Sequence, residues 1–290
     1  MNSRSGVKPT FAALALSAAM VASMAAEAET VPVSQLKQQT HIHGLAVDRE
    51  NPQRLLIATH HGLFRSGPDG KAKLISPVQD FMGFMPDPSD PGTLYASGHP
   101  AGGGNLGFIV SRDGGANWQQ LSPGQGGPVD FHQMTVSAAA PQVVYGAYGG
   151  LQVSRDAGRS WSVVGPLPDR LIDLAASALH ADTLYAATES GLSVSKDGGR
   201  DWETVIDGAP VSVVEVAVDG SIYAFVPGQG LVRSEESELK FTQVADGWGE
   251  RVLLHLAIDP EDTERMFVAS HQGEIFASTD GGARWTEYGN

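Results

Sequence analysis

Short apolar runs recur along this chain, separated by clusters of Gly, Pro, Asp, Asn and Ser. Runs of this length, rich in β-branched and aromatic residues and bounded by turn formers, predict strands rather than helices. They fall into a repeating order of six units. Each unit opens with an apolar strand: IHGLAVD from Ile42, FMGFMPD from Phe81, FHQMTVS from Phe131, LIDLAAS from Leu171, VVEVAVD from Val213 and LLHLAID from Leu253. A turn rich in Pro, Asp and Asn follows in most units, as at Asp87-Pro88-Ser89-Asp90-Pro91. A second strand comes next (LLIAT, TLYAS, VVYGA, TLYAA, SIYAF, RMFVA). A glycine-containing turn leads to a third (GLFRS, GFIVS, GLQVS, GLSVS, GLVRS, EIFAS), and another turn to a fourth. Four short strands per unit is the pattern of a propeller blade. No helix of consequence is expected outside the N-terminal segment.

The turn between third and fourth strands carries its own signature. SRDGGANW from Ser111 recurs as SRDAGRSW from Ser154, SKDGGRDW from Ser195 and STDGGARW from Ser278. The opening serines stand 43, 41 and 83 residues apart, the last interval spanning a decayed copy, SEESELKF from Ser234. A period of about 40–45 residues is that of a propeller blade. Asp and Gly supply a side-chain acceptor and a permissive backbone for a tight turn, and the Trp packs the outgoing strand. The first unit keeps the turn residues, Ser66-Gly67-Pro68-Asp69-Gly70, without the Trp.

Ser-x-Asp-x-Gly-x-x-Trp is the Asp-box, or BNR-repeat, pattern, and the chain resembles the Asp-box β-propeller families of the sialidase and sortilin-like superfamily. With the repeat count, this implies an all-β, six-bladed β-propeller of four-stranded antiparallel blades with its Asp-box turns on one face. The expected organisation is a signal peptide over 1–28, a lead over 29–41 and the propeller over 42–290. Six repeats that begin at the first strand can close without exchanging strands, and Val31-Pro32-Val33 is available to add an edge strand to the last blade.

Composition changes the picture in three ways. Arg4 and Lys8, an apolar stretch from Thr10 to Met24 and the small-x-small triplet Ala26-Glu27-Ala28 read as a secretory signal, so the product is expected in the periplasm or outside the cell. No later segment is long enough for a membrane span. Loss of Arg4, Lys8 and Glu27 would take the net charge from −14 to −15, which disfavours nucleic acid and anionic membrane as partners. Cysteine is absent, so a metal site would have to use His, Met or carboxylate.

In such a blade the first strand lines the central channel, and its starting end shares a face with the turn between strands two and three. His43, His132 and His255 lie near the start of first strands and His41 just before one. His60, His61, His99 and His271 lie in second-to-third turns, so eight of the nine histidines fall on one face. Only His180 belongs to the other. They come from blades six, one, two and three, which are contiguous in a closed ring. Met82 holds the position of His43 and His132, Met85 and Met134 lie on the same strands, and Asp80 and Asp130 hold the position of His41. A single histidine on an inner strand is more often a hydrogen-bonded core residue, and the methionines fit core filling. The set as a whole suits a first-row transition metal, copper or zinc foremost. Strand alternation puts His41 and His43 on one side, and the expectation is one ion held by His41, His43, His60 or His61, and His132. His99, Met82, Met134 and His271 are further candidates.

The resemblance also implies sialidases and other glycoside hydrolases, receptors and assembly factors. Sialidases hold the substrate carboxylate with three arginines on the active face. Here only Arg170 and Arg251 reach it, and the Phe/Tyr-Arg-Ile-Pro motif is missing, so sialidase is rejected. A glycosidase built on two of Asp80, Asp130, Asp173 and Glu189 stays open. The preferred reading is an exported metal-binding propeller. The alternative is a non-enzymatic scaffold that takes a small ligand or a periplasmic protein partner on the same face, with Phe81, Phe131, Tyr148 and Pro100 as contact area. The Gly-rich stretch Ala101-Gly102-Gly103-Gly104-Asn105 after His99 reads equally as a flap over the site or as a long turn.

Overall fold

A computed structural model describes Met1 and residues 30–168 and 170–289. The segment read as a signal peptide, Met1 apart, lies outside them. Six antiparallel sheets form a closed ring of six blades. Blade one comprises Ile42–Val47, Leu55–Thr59, Gly62–Ser66 and Lys71–Leu74. Blade two comprises Met82–Pro86, Leu94–Ser97, Phe108–Ser111 and Gln119–Ser122. Blade three has Gln133–Val136, Val144–Ala147, Leu151–Ser154 and Ser162–Gly165. Blade four has Leu171–Ala176, Leu184–Thr188, Gly191–Ser195 and Glu203–Asp207. Blade five runs through Val213–Val216, Ser221–Val226, Gly230–Glu235 and Thr242–Ala245. Blade six runs through Leu253–Ile258, Met266–Ser270, Ile275–Ser278 and Thr286–Glu287. Each blade is built from consecutive strands, as expected. The one helix among the described residues is a single turn, Val33–Leu36, and none is long and apolar enough to cross a membrane.

Two expectations need correction. The lead strand Thr30–Pro32 pairs with Lys71–Lys73 on the outer edge of the first blade, not the last. Behind it Val33 and Leu36 plug the seam between blades one and six with Ile42, Phe267 and Ile275. The second correction concerns register. Asp48 donates its amide to Arg54 across the first hairpin, as Asp87 does to Thr93 and Asp259 to Arg265; in blade five the corresponding bond runs from Ala217 to Ser221. Ala217, not Asp219, is therefore the counterpart of Asp48. The unit begins at Val211, two residues earlier than the sequence pattern suggests, because this hairpin is shorter.

The four Ser-x-Asp-x-Gly-x-x-Trp turns repeat one hydrogen-bond scheme. In each, the serine hydroxyl donates to the aspartate and accepts from the glycine amide, as at Ser111, Asp113 and Gly115. The glycine is also where the preceding blade lands. A Cβ on Gly158 would lie 2.0 Å from Phe108 Cε1, and its φ of 82° disfavours any side chain. Gly115 meets Leu63, Gly199 meets Leu151 and Gly282 meets Leu231 in the same way. In blade one, where the box has lost its Trp, Tyr288 from the chain's end supplies the contact. Its hydroxyl lies 3.0 Å from Ser66 Oγ and 3.1 Å from the Gly67 carbonyl.

Candidate metal centre at the channel mouth

The first strands surround an axial cavity of about 430 Å³, whose wall includes His43, His132, Asp173, Glu215 and His255. At one mouth three of the blades, two, four and six, share a local rule. The residue opening a blade and the residue in its second-to-third turn face each other across the backbone. Asp80 and His99 exchange two hydrogen bonds, 3.0 and 3.3 Å, and Glu189–Arg170 and His271–Val252 make the equivalent contacts. Gly98 permits this approach, since a Cβ there would meet the Asp80 carbonyl at 2.2 Å. From two of the second-to-third turns a histidine reaches forward to the aspartate of the next blade, His60 to Asp80 and His99 to Asp130.

Two sets result. In the first, Asp80 of blade two takes His43 Nδ1 on Oδ1 and His60 Nδ1 on Oδ2, each at 3.0 Å. The two rings are 4.0 Å apart edge-on, and the His41 ring lies 5.6 Å from that of His60. In the second, Asp130 Oδ2 of blade three lies 2.9 Å from Nε2 of His99 and 2.6 Å from Nε2 of His132. Within each set one potential ligand atom per residue lies within 4.8 Å of the others. That separation suits closure around one ion.

The carboxylates are tuned by what surrounds them. Burial pushes Asp80 up, but hydrogen bonds and charge from His43 and His60 outweigh it and hold the carboxyl below its usual range. The hydrogen bond to Asp130 keeps the His132 imidazolium above the ordinary histidine range, against its own desolvation and with help from the charges of Asp130 and Asp80. Asp130 is itself buried, and its Oδ1 has no hydrogen-bond partner.

The predicted residues therefore separate. His43 and His60 meet at Asp80, while His99 and His132 meet at Asp130; the single set joining His43 to His132 is replaced by two. His61 is exposed with its ring 6.5 Å from that of His60. Met134 is buried against Phe131 and Trp161 as core, and Met82 is half-buried on its strand. His271 accepts from the Val252 amide through Nδ1 and so staples its own hairpin. His255 bonds the Ile42 carbonyl across the last-to-first seam, and burial pushes it down to about 4, which keeps it neutral. The sequence pattern placed Asp80 and Asp130 in the repeat position of His41 without counting them as site residues. Their shared place before Phe81 and Phe131 was the signal.

The other readings of the face change too. Phe81 and Phe131 are fully buried and offer no contact area; Tyr148 is exposed. Asp173 accepts two backbone amides, from Leu174 and Val214, and Glu189 pairs with Arg170. With Asp80 and Asp130 holding histidines, all four carboxylates considered for glycoside hydrolysis are engaged. Arg251 is paired as well, with Glu274.

No protein-family model matches the chain, and no curated protein does. Solved structures match in fold. The chain is similar to the GH74 enzyme of Niastella koreensis, with a TM-score of 0.59 and 14% identity over 86% of this chain and 45% of that one. It is similar to the GH74 xyloglucanase from Xanthomonas campestris at a TM-score of 0.60 and 18% identity over the same shares. YCF48 from Cyanidioschyzon merolae gives 0.51 and 14%, covering 86% and 84%. The chain thus spans less than half the length of the two GH74 enzymes. Likeness at these identities establishes the β-propeller fold, and function has to be read from the site.

Proposed function

We propose that this chain is an exported propeller that binds a first-row transition-metal ion, copper or zinc, through imidazoles at one mouth of its channel. The observation that carries this reading is the gathering of two histidines around one carboxylate at each of two blade junctions. Imidazole and carboxylate together, without thiolate, suit Zn(II) and Cu(II). The ligands sit at strand ends and in the turns between second and third strands, tight in blade one and longer in blade two. A protein partner on the same face is the second reading, favoured by exposed Tyr148 beside the Gly-rich stretch, where it accepts from Asn105.

Titration with Zn(II) and with Cu(II), monitored by calorimetry, tests the proposal. A His43→Ala, His132→Ala double variant takes one ring from each set and should weaken binding about 100-fold or more while keeping its β-sheet circular dichroism and melting temperature. Unchanged affinity in the folded variant would overturn the metal reading. Partner capture indifferent to chelator would favour the second. Mass spectrometry of the protein purified from its native cells should show a mature start at Glu29; an intact N-terminus would refute cleavage of the signal segment.

A further inference from the structure

The two sets present their imidazoles in opposite senses. At Asp80 both rings turn Nδ1 to the carboxylate, which leaves each Nε2 on the far side of its ring. This is how a second-sphere carboxylate orients metal-binding histidines, fixing the tautomer and freeing the distal nitrogen. At Asp130 both rings turn Nε2 to the carboxylate. His99 Nδ1 is committed elsewhere, 2.8 Å from the Gly104 carbonyl. A carbonyl only accepts, so that nitrogen carries the hydrogen and the neutral ring offers its Nε2 lone pair. That lone pair faces a carboxylate oxygen 2.9 Å away, acceptor against acceptor.

Only a cation or an added proton between them makes such a contact favourable. The carboxylate is 6% exposed and its other oxygen lacks a partner, so water does little to relieve it. The Gly-rich stretch thereby gains a role that neither a flap nor a plain turn would give it: its Gly104 carbonyl sets the tautomer of His99.

We infer that the mouth holds two separate metal sites, one on the distal nitrogens of His43 and His60 with Asp80 behind them, the other on His99, His132 and Asp130. The sites share no ligand. They are adjacent all the same, because Asp80 of the first is backbone-paired with His99 of the second. An ion in one therefore raises the positive potential at the other, and the second ion should bind more weakly than the first. The inference rests on the metal-binding reading above.

Native mass spectrometry and elemental analysis of the full chain titrated with Zn(II) count the ions. His60→Ala and His99→Ala are the informative variants, since these rings are 46% and 41% exposed and their removal leaves the blades intact. The wild type should take two ions, the second at least about threefold more weakly. Each variant should take one, and the double variant none. One ion in the wild type that is lost in both variants would mean a single shared site, overturning the two-site inference while leaving metal binding in place. One ion lost in only one variant would assign the site to that junction alone and overturn the inference equally. A wild type that takes no ion would instead overturn the proposed function.

Discussion

Gly158 shows how much of this fold is decided by one missing methyl group. Its backbone conformation and the Phe108 ring pressed on it both exclude a side chain. Gly158→Ala should cost about 2–4 kcal/mol, from overpacking plus an unfavourable φ. The checking measurement is the urea midpoint, and an unshifted midpoint would mean that Phe108 moves aside freely. The site was less legible at this scale than the turn. The histidines and their common face could be read from repeat position, because strand order alone dictates them. Which rings share a carboxylate could not, because it depends on the rotation between neighbouring blades and on side-chain torsions. His43 and His132 hold equivalent positions, yet His43 turns to the next blade's Asp80 while His132 folds back on Asp130 within its own.

Blades were the most legible elements, since strand alternation, turn residues and the box are all local signals. Where the reading slipped, the cause was also local. Blade five crosses its first hairpin in three residues, Val218 to Gly220, so aligning Asp219 with Asp48 displaced the unit by two. The lead strand was misplaced for another reason: the outer strand of every blade carries exposed residues, and the choice of edge is made by the apolar seam under Val33 and Leu36. Closure at that seam is testable. Tyr288→Phe removes a hydroxyl that reaches Ser66 and Gly67, and should lower stability by about 1 kcal/mol. Equal melting temperatures would show that Tyr288 contributes packing alone.

For the molecule as a whole, the channel sets the response to pH. Glu215 lines it with no hydrogen-bond partner among the described residues. Burial, then the nearby charge of Asp173, pushes its carboxyl up to about 8; burial likewise pushes Asp173 up to about 6. A carboxyl raised in the folded state holds its proton where the unfolded chain has already released it. Stability is therefore greatest below the unfolded value and falls as pH rises towards 8. Glu215→Gln removes that loss. The variant should exceed the wild type by about 1–3 kcal/mol at pH 8 and match it near pH 4.5, measured by urea unfolding at both values. An equal difference at both pH values would locate the effect in packing instead.

The forward reach of a turn histidine to the next blade's aspartate makes the joint, not the blade, the unit that carries chemistry. A propeller of six blades has six such joints, and two are furnished here. At the remaining four, the aspartate's place is taken by Arg170, Pro210, Val252 and His41. Because a joint draws on only three residues, two from one blade and one from its neighbour, sites of this kind can be added or lost by a few substitutions, with the ring as an unchanged chassis. Under the two-site proposal, the binding capacity of such a protein would be set by how many joints between repeats have been fitted, in whole-number steps.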